Sequence, residues 1–204
     1  GIYYSQVSSP SILGNVINGD NSSKAGPGIF SLSSNGSIRG NTIIGHLHGI
    51  ELGNSSPEVA ENYITGNKDH GIFVGDQSVP NLSLTSLDGE GYPLTGYNNI
   101  FENGECEYDR NAEINVVESY IELSGGCNTI ADNRIEIPEF CSNVLLIDGR
   151  SVSDVIYAEK NYWGNHPEYG HDPTGRFREE VEIIYDGFLD EPCTYNESEG
   201  FFVM

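Results

Sequence analysis

Three of the five histidines, His46, His48 and His70, fall in one short stretch together with Asp69. Neutral imidazole is both a metal ligand and a proton acceptor near neutral pH, so these four residues are a candidate transition-metal site or general-base cluster. His48 and His70 each stand directly before a Gly-Ile pair, Gly49-Ile50 and Gly71-Ile72. They therefore occupy equivalent places in a repeat. Glu51 follows the first pair, which gives His48, His70 and Glu51 as the candidate catalytic set. Tyr3, Phe30 and Phe73 hold the same slot as Glu51 after their own Gly-Ile pairs, and Glu122 after Ile121 is read as a later member. Aromatic rings stack on the apolar faces of pyranoses, and carboxylates accept sugar hydroxyls. Tyr3, Phe30, Glu51, Phe73 and Glu122 are thus the candidate glycan-binding strip. The plainer alternatives are corner histidines satisfied by backbone or water, and rings hidden beneath loops.

Calcium is the cofactor the acidic residues raise. Asp88 and Glu90 in the LDGEG turn offer oxygens, as do Asp186 and Asp190, but neither set has the spacing of the twelve-residue EF-hand loop. An ordinary Asp-Gly turn accounts for LDGEG equally well.

The elements that must position these side chains are short and repeated. Gly-Ile pairs begin at residues 1, 28, 49 and 71, spacings of 27, 21 and 22. A second series is marked by Asn15, Asn41, Asn62, Asn98, Asn133 and Asn161, the first three in NVING, NTIIG and NYITG. Periods of this size mean a solenoid. No leucine-rich register appears, the repeat has no room for a long helix, and Ile, Val and Tyr suit strands. The predicted fold is all-β, a right-handed parallel β-helix of about six to seven rungs over 1–165. Residues 166–204 are expected to form a loop, a short helix carrying Val181, Ile184 and Tyr185, and a terminal strand, together covering the end of the coil. Ile2, Ile29, Ile50, Ile72, Ile121 and Leu145 are assigned inward on the first sheet, with Leu146 outward. Ile17, Ile43, Ile64, Ile100 and Ile135 are assigned to the third. Asp76–Tyr97 and Asn103–Ser119 are read as insertions.

These repeats, with KNYWGN at 160–165 and IIYDGFLD at 183–190, resemble the right-handed β-helix repeat family of the pectate-lyase-like superfold, in particular its secreted or surface members ending in an NYWG motif. That superfold hosts lyases, hydrolases, epimerases, adhesins and non-catalytic surface proteins, so the resemblance implies fold rather than chemistry. The hydrolase motifs N-T-D and G-H-G are missing, GHLHG being a near miss. His171-Asp172-Pro173 has the wrong order for the epimerase motif. The basic residues Arg39, Lys68, Arg110, Arg134 and Arg150 are scattered, unlike a lyase centre.

The formal charge of −22, from 9 basic and 31 acidic residues, excludes nucleic acid as a partner. No stretch is long and apolar enough to span a membrane. Cys106, Cys127, Cys141 and Cys193 fit no zinc pattern and favour disulfides, with Cys106–Cys141 and Cys127–Cys193 the expected pairing among three. Asn21, Asn35, Asn54, Asn81 and Asn196 each open an N-x-S/T sequon, the glycosylation candidates. With no basic-then-apolar run at its start, the sequence is expected to be a mature or trimmed one, and both ends are expected to be open, covered by further chain or by copies of the same subunit. The expectation is a secreted or cell-surface domain that binds a glycan or polysaccharide without catalysis. The alternatives are a filament subunit joined end to end by strand addition through GFFVM, and a polysaccharide lyase or hydrolase.

Overall fold

A computed structural model describes residues 1–22, 25–83, 96–104, 112–131, 145–152, 155–165, 172–173, 175–177, 182–196 and 201–203. The chain winds as a coil of short parallel strands. The first rung contains β1 (Ile2–Ser5), β2 (Ser11–Leu13) and β3 (Val16–Asn18); the second β4 (Ile29–Leu32), β5 (Ser37–Arg39) and β6 (Thr42–Ile44). The third contains β7 (His48–Gly53), β8 (Glu58–Ala60) and β9 (Tyr63–Thr65). The fourth has β10 (His70–Gly75) and β11 (Asn99–Phe101), and the fifth β12 (Ala112–Val117) and β13 (Thr129–Ala131). The sixth has β14 (Leu145–Arg150) and β15 (Ile156–Tyr157). Stacking like elements gives a six-stranded first sheet, β1-β4-β7-β10-β12-β14, a second sheet β2-β5-β8, and a third, β3-β6-β9-β11-β13.

The core is a stack of Ile, Leu and Val between the three sheets. Ile29, Ile50, Ile72, Ile114 and Ile147 share one column and Ile43, Ile64, Ile100 and Ile130 another, all fully buried. No described segment is a helix long and apolar enough to cross a membrane.

Amide and hydroxyl ladders hold the corners. Asn15, Asn41, Asn62, Asn98, Asn128 and Asn161 stack, and the side-chain oxygen of each later member accepts both the backbone N–H and the amide N–H of the one before. The left-handed residue is the one preceding each Asn: Gly14, Gly40, Glu61, Tyr97, Cys127 and Lys160 all have positive φ. The Asn is therefore selected for its side-chain bonds, not its backbone. A serine ladder runs along the corner after the first sheet, where the backbone N–H groups of Ser34, Ser55 and Ser78 donate to Ser55, Ser78 and Ser119 Oγ.

Several expectations are corrected. The run AEINVV, taken for insertion, is β12, because its alternating residues put Ile114 opposite Ile72. Ile121 and Glu122 belong instead beside the second sheet, where Glu122 bridges Asn81. Leu146 faces the core, and the inward column of the first sheet continues through Ile147 rather than Leu145. Asn128 replaces Asn133 in the ladder, and Ile130 replaces Ile135, which lies outside the described residues along with Asn133. Where a short helix was expected, β16 (Ile183–Ile184) pairs parallel with β15. With Phe177 bridging Ile147 and Leu189 bridging Tyr162, a further rung lies inside the segment expected to be a cap. β17 (Thr194–Asn196) and β18 (Phe201–Val203) pair antiparallel, so the strand in GFFVM has its partner within the chain. Cys127 and Cys193 are disulfide-bonded as expected; Cys106 and Cys141 lie outside the described residues.

Candidate functional site

The outer face of the first sheet owes its composition to the Gly-Ile pair. At Gly49 a Cβ would meet Ile64 Cγ2 and lie 2.6 Å from the Gly71 carbonyl oxygen, and Gly28 and Gly71 are equally confined against Ile43 and Ile100. Glycine and isoleucine thus both face the core at this bend. That breaks the strict period-2 alternation and leaves the residues before and after the pair outside.

After the pair, Tyr3, Phe30, Glu51 and Phe73 stand in one register column, as the spacing predicts. The column continues through Asn115 and Asp148, not Glu122. Glu122 leaves the strip because its rung was assigned to the wrong sheet; its carboxylate accepts Tyr120 Oη–H at 3.1 Å and the Ser124 N–H at 3.0 Å. Tyr3 and Phe30 rings lie 5.3 Å apart. Tyr3 is 64% exposed, while Phe30, Glu51 and Phe73 are half-buried.

His48 and His70 come together beside this column. Their rings stack at 5.2 Å and 7°, and both lie against Phe73, at 5.4 and 6.0 Å. His48 Nε2 is 3.9 Å from Glu51 Oε2, so His48, His70 and Glu51 are contiguous, as their positions in the repeat predict. His70 Nδ1 accepts the Ala112 N–H at 3.2 Å, and its Nε2 lies 3.1 Å from the Asn115 amide. Burial pushes His48 down to about 4 and His70 down to about 3, with the neighbouring His48 adding to the second shift. Both rings are therefore neutral at pH 7. His48 Nδ1 is buried without a hydrogen-bond partner among the described residues, so a ligand on the surface does not reach it. Burial raises Glu51 above the ordinary carboxylate range, and the Asp76 carboxylate adds to the effect.

The four-residue metal set does not assemble. His46 sits in another corner, its N–H donating to Asn67 Oδ1 and its ring against Gly19 and Gly28. Among the described residues no group of three or more His, Cys, Asp or Glu side chains is arranged to hold a metal ion. Asp88 and Glu90 lie outside the described residues.

At the far end of the strip lie residues that the sequence reading overlooked. Asn115 and Asp148 are fully buried, and partly exposed Arg150 spans them, Nη2 3.4 Å from Asn115 Oδ1 and Nε 3.6 Å from Asp148 Oδ2. The alternation in AEINVV was the available signal. Of the sequons, Asn21, Asn35 and Asn54 are exposed; Asn81 is half-buried with Oδ1 accepting from Ser83 N–H and Oγ–H. Asn196 lies on β17. A groove of about 410 Å³, lined by Ser11, Asn35, Ser37 and Glu58 among others, opens on the second sheet.

Chemically, the face offers rings for stacking, carboxylates as acceptors and two histidines held neutral at pH 7 by burial. No curated protein and no solved structure matches the chain. Residues 1–88 match the family model described as the right handed beta helix region, and with three columns of parallel strands stacked behind the site the fold is a right-handed parallel β-helix.

Proposed function

We propose that this β-helix domain works outside the cell and binds a glycan along the outer face of its first sheet, without catalysis. The observation that carries the reading is the registered column Tyr3–Phe30–Glu51–Phe73, which sets three rings and a carboxylate about 4.8 Å apart on a rigid sheet. Rings at that spacing match successive faces of a saccharide chain. Glu51, flanked by the Asp76 carboxylate, accepts its hydroxyls. The Cys127–Cys193 disulfide supports an oxidising compartment.

The test is glycan-array screening followed by calorimetry with the best binder. Phe30→Ala and Phe73→Ala are expected to weaken binding at least tenfold each, about 1.4 kcal/mol. Tyr63→Ala, in the ring pair with Phe101 on the third sheet, is expected to leave it unchanged. Binding that survives both Phe substitutions, or no binding to any glycan, refutes the proposal.

A further inference from the structure

We infer that Asn35 is a self-modification site: its side chain closes on the Gly36 backbone nitrogen and opens again as aspartate or isoaspartate. The site lies at the corner before the second sheet and does not depend on the glycan reading.

Asn-Gly occurs three times in the chain, at residues 18–19, 35–36 and 103–104. Glycine, with no Cβ, is the following residue that least hinders attack on the side-chain amide, so residue order ranks the three pairs equally. The coil does not. Gly19 N–H donates to Ile44 O at 2.7 Å and Gly104 N–H to Asn67 O at 2.8 Å, so each of these nitrogens is held in a rung-to-rung bond. Asn103 is fixed as well, its Nδ2 donating to Ile64 O, Phe101 O and Glu113 Oε2. Gly36 N–H donates to nothing among the described residues, although its carbonyl accepts Glu58 N–H at 2.8 Å.

The repeat supplies the reason. Ser11, Ser37, Glu58 and Asn81 share one register column, so Pro10, Gly36, Pro57 and Pro80 are equivalent residues just before it. Each gives its carbonyl to the next rung, Pro10 to Ser37, Gly36 to Glu58, Pro57 to Asn81 and Pro80 to Glu122. Proline has no N–H, so the coil takes no backbone bond from this position. Gly36 carries a donor for which the corner has no acceptor.

The Asn35 amide is set for attack by that nitrogen. It is exposed, its Nδ2 donates to nothing among the described residues, and its Oδ1 accepts Ser56 N–H at 2.7 Å. That bond draws electrons from Cγ and stabilises the oxyanion formed when the nitrogen adds. Gly36 N loses its proton and bonds to Cγ; the Cγ–Nδ2 bond breaks, and Nδ2 takes a proton and leaves as ammonia. Water then opens the succinimide, at Cγ to give aspartate or at the Asn35 main-chain carbonyl carbon to give isoaspartate. Either product puts a new carboxylate into the groove that Glu58 also lines. Because Nδ2 is the acceptor atom of the Asn35-Gly36-Ser37 sequon, the reaction also destroys that sequon.

The test incubates the folded, unglycosylated chain at mildly alkaline pH beside the same chain in urea, with peptide mass spectrometry following each Asn-Gly pair. In urea the three sites are expected to convert within about threefold of one another; in the folded chain Asn35 should run at least about tenfold ahead of the others, which must open locally first. Asn35→Gln, whose longer side chain closes poorly on the next nitrogen, should remove the first acidic species seen on ion exchange. Comparable folded rates at the three sites, faster conversion at Asn18 or Asn103, an Asn35 that stays inert while folded, or an acidic species that survives Asn35→Gln overturns the inference.

Discussion

Replacing Asn62 by alanine tests whether the side-chain ladder, and not only the hydrophobic column, holds the coil together. Asn62 is fully buried and makes four side-chain hydrogen bonds. Its Oδ1 accepts Asn41 N–H and Nδ2–H, each at 3.0 Å, and its Nδ2 donates to Ile38 O at 2.8 Å and Asn98 Oδ1 at 3.0 Å. At a net worth of about 1 kcal/mol each, Asn62→Ala is expected to cost about 4 kcal/mol, because the partners stay buried without water. For a chain of this size that corresponds to a fall in Tm of roughly 8–16 °C. Asn15 is the internal comparison. It is half-buried at the edge of the ladder and donates its amide to Leu13 O and Asn41 Oδ1, where water can substitute. Asn15→Ala is expected to cost under about 1 kcal/mol. Thermal unfolding by near-ultraviolet circular dichroism measures both. Solenoids unfold by nearest-neighbour units, so hydrogen exchange across β5–β9 should report the same loss locally. A shift for Asn62→Ala no larger than for Asn15→Ala refutes the ladder's role.

Three further outcomes are expected. Unfolded histidine titrates near 6.5, whereas His48 and His70 titrate at about 4 and about 3 when folded. Their contribution is complete above pH 6.5 and is lost below it, as the unfolded chain takes up protons first, with a slope of up to about 1.4 kcal/mol per pH unit per histidine. Urea unfolding of the protein and of His48→Gln/His70→Gln between pH 7.5 and 4.5 isolates this from the carboxylates, and a pH-independent difference contradicts it. Gly49→Ala forces a Cβ against Ile64 and the Gly71 carbonyl and is expected to destabilise by about 1–3 kcal/mol, whereas Gly26→Ala meets nothing within 4 Å and should be neutral. Equal urea midpoints for the two would defeat the close-packing account. The Cys127–Cys193 bond closes a sequence separation of 66, worth up to about 4 kcal/mol in chain entropy. Cys127→Ser/Cys193→Ser should accelerate amide exchange in 182–196 and leave β4–β9 protected; unchanged exchange in 182–196 rejects the tether.

The site was partly legible in the sequence. Tyr3, Phe30, Glu51 and Phe73 fell into one column because the Gly-Ile pair marks the bend in each of the first four rungs. The fifth rung has Glu113 and Ile114 in place of that pair, so the marker is absent there and residue order points to Glu122 instead of Asn115. Glu113 is tolerated at the glycine position because its carboxylate accepts the backbone and amide N–H groups of Asn103, ending a second ladder through Asn67. The corner ladder slipped similarly. CNTIAD repeats the Asn-Thr-Ile of NTIIG and carries the ladder at Asn128, whereas the Asn-x-Ile of NRIEI, which the series follows in the sequence, begins at Asn133.

The sequence alone determined the coil. A period of 21–27 residues with single inward isoleucines admits one architecture, since no piece of the repeat buries its apolar side except against its neighbours. It also determined the acidic surface and the pairing of His48 with His70, which follow from composition and from equal position in the repeat. Which column continues where, and where that column is covered, were decided only in three dimensions. The burial of Asn115 and Asp148 does not follow from residue order, and the spacing between rungs varies without changing the register of the strands. Local residue order specifies each strand, whereas the extent of the open strip depends on contacts between rungs far apart in the chain.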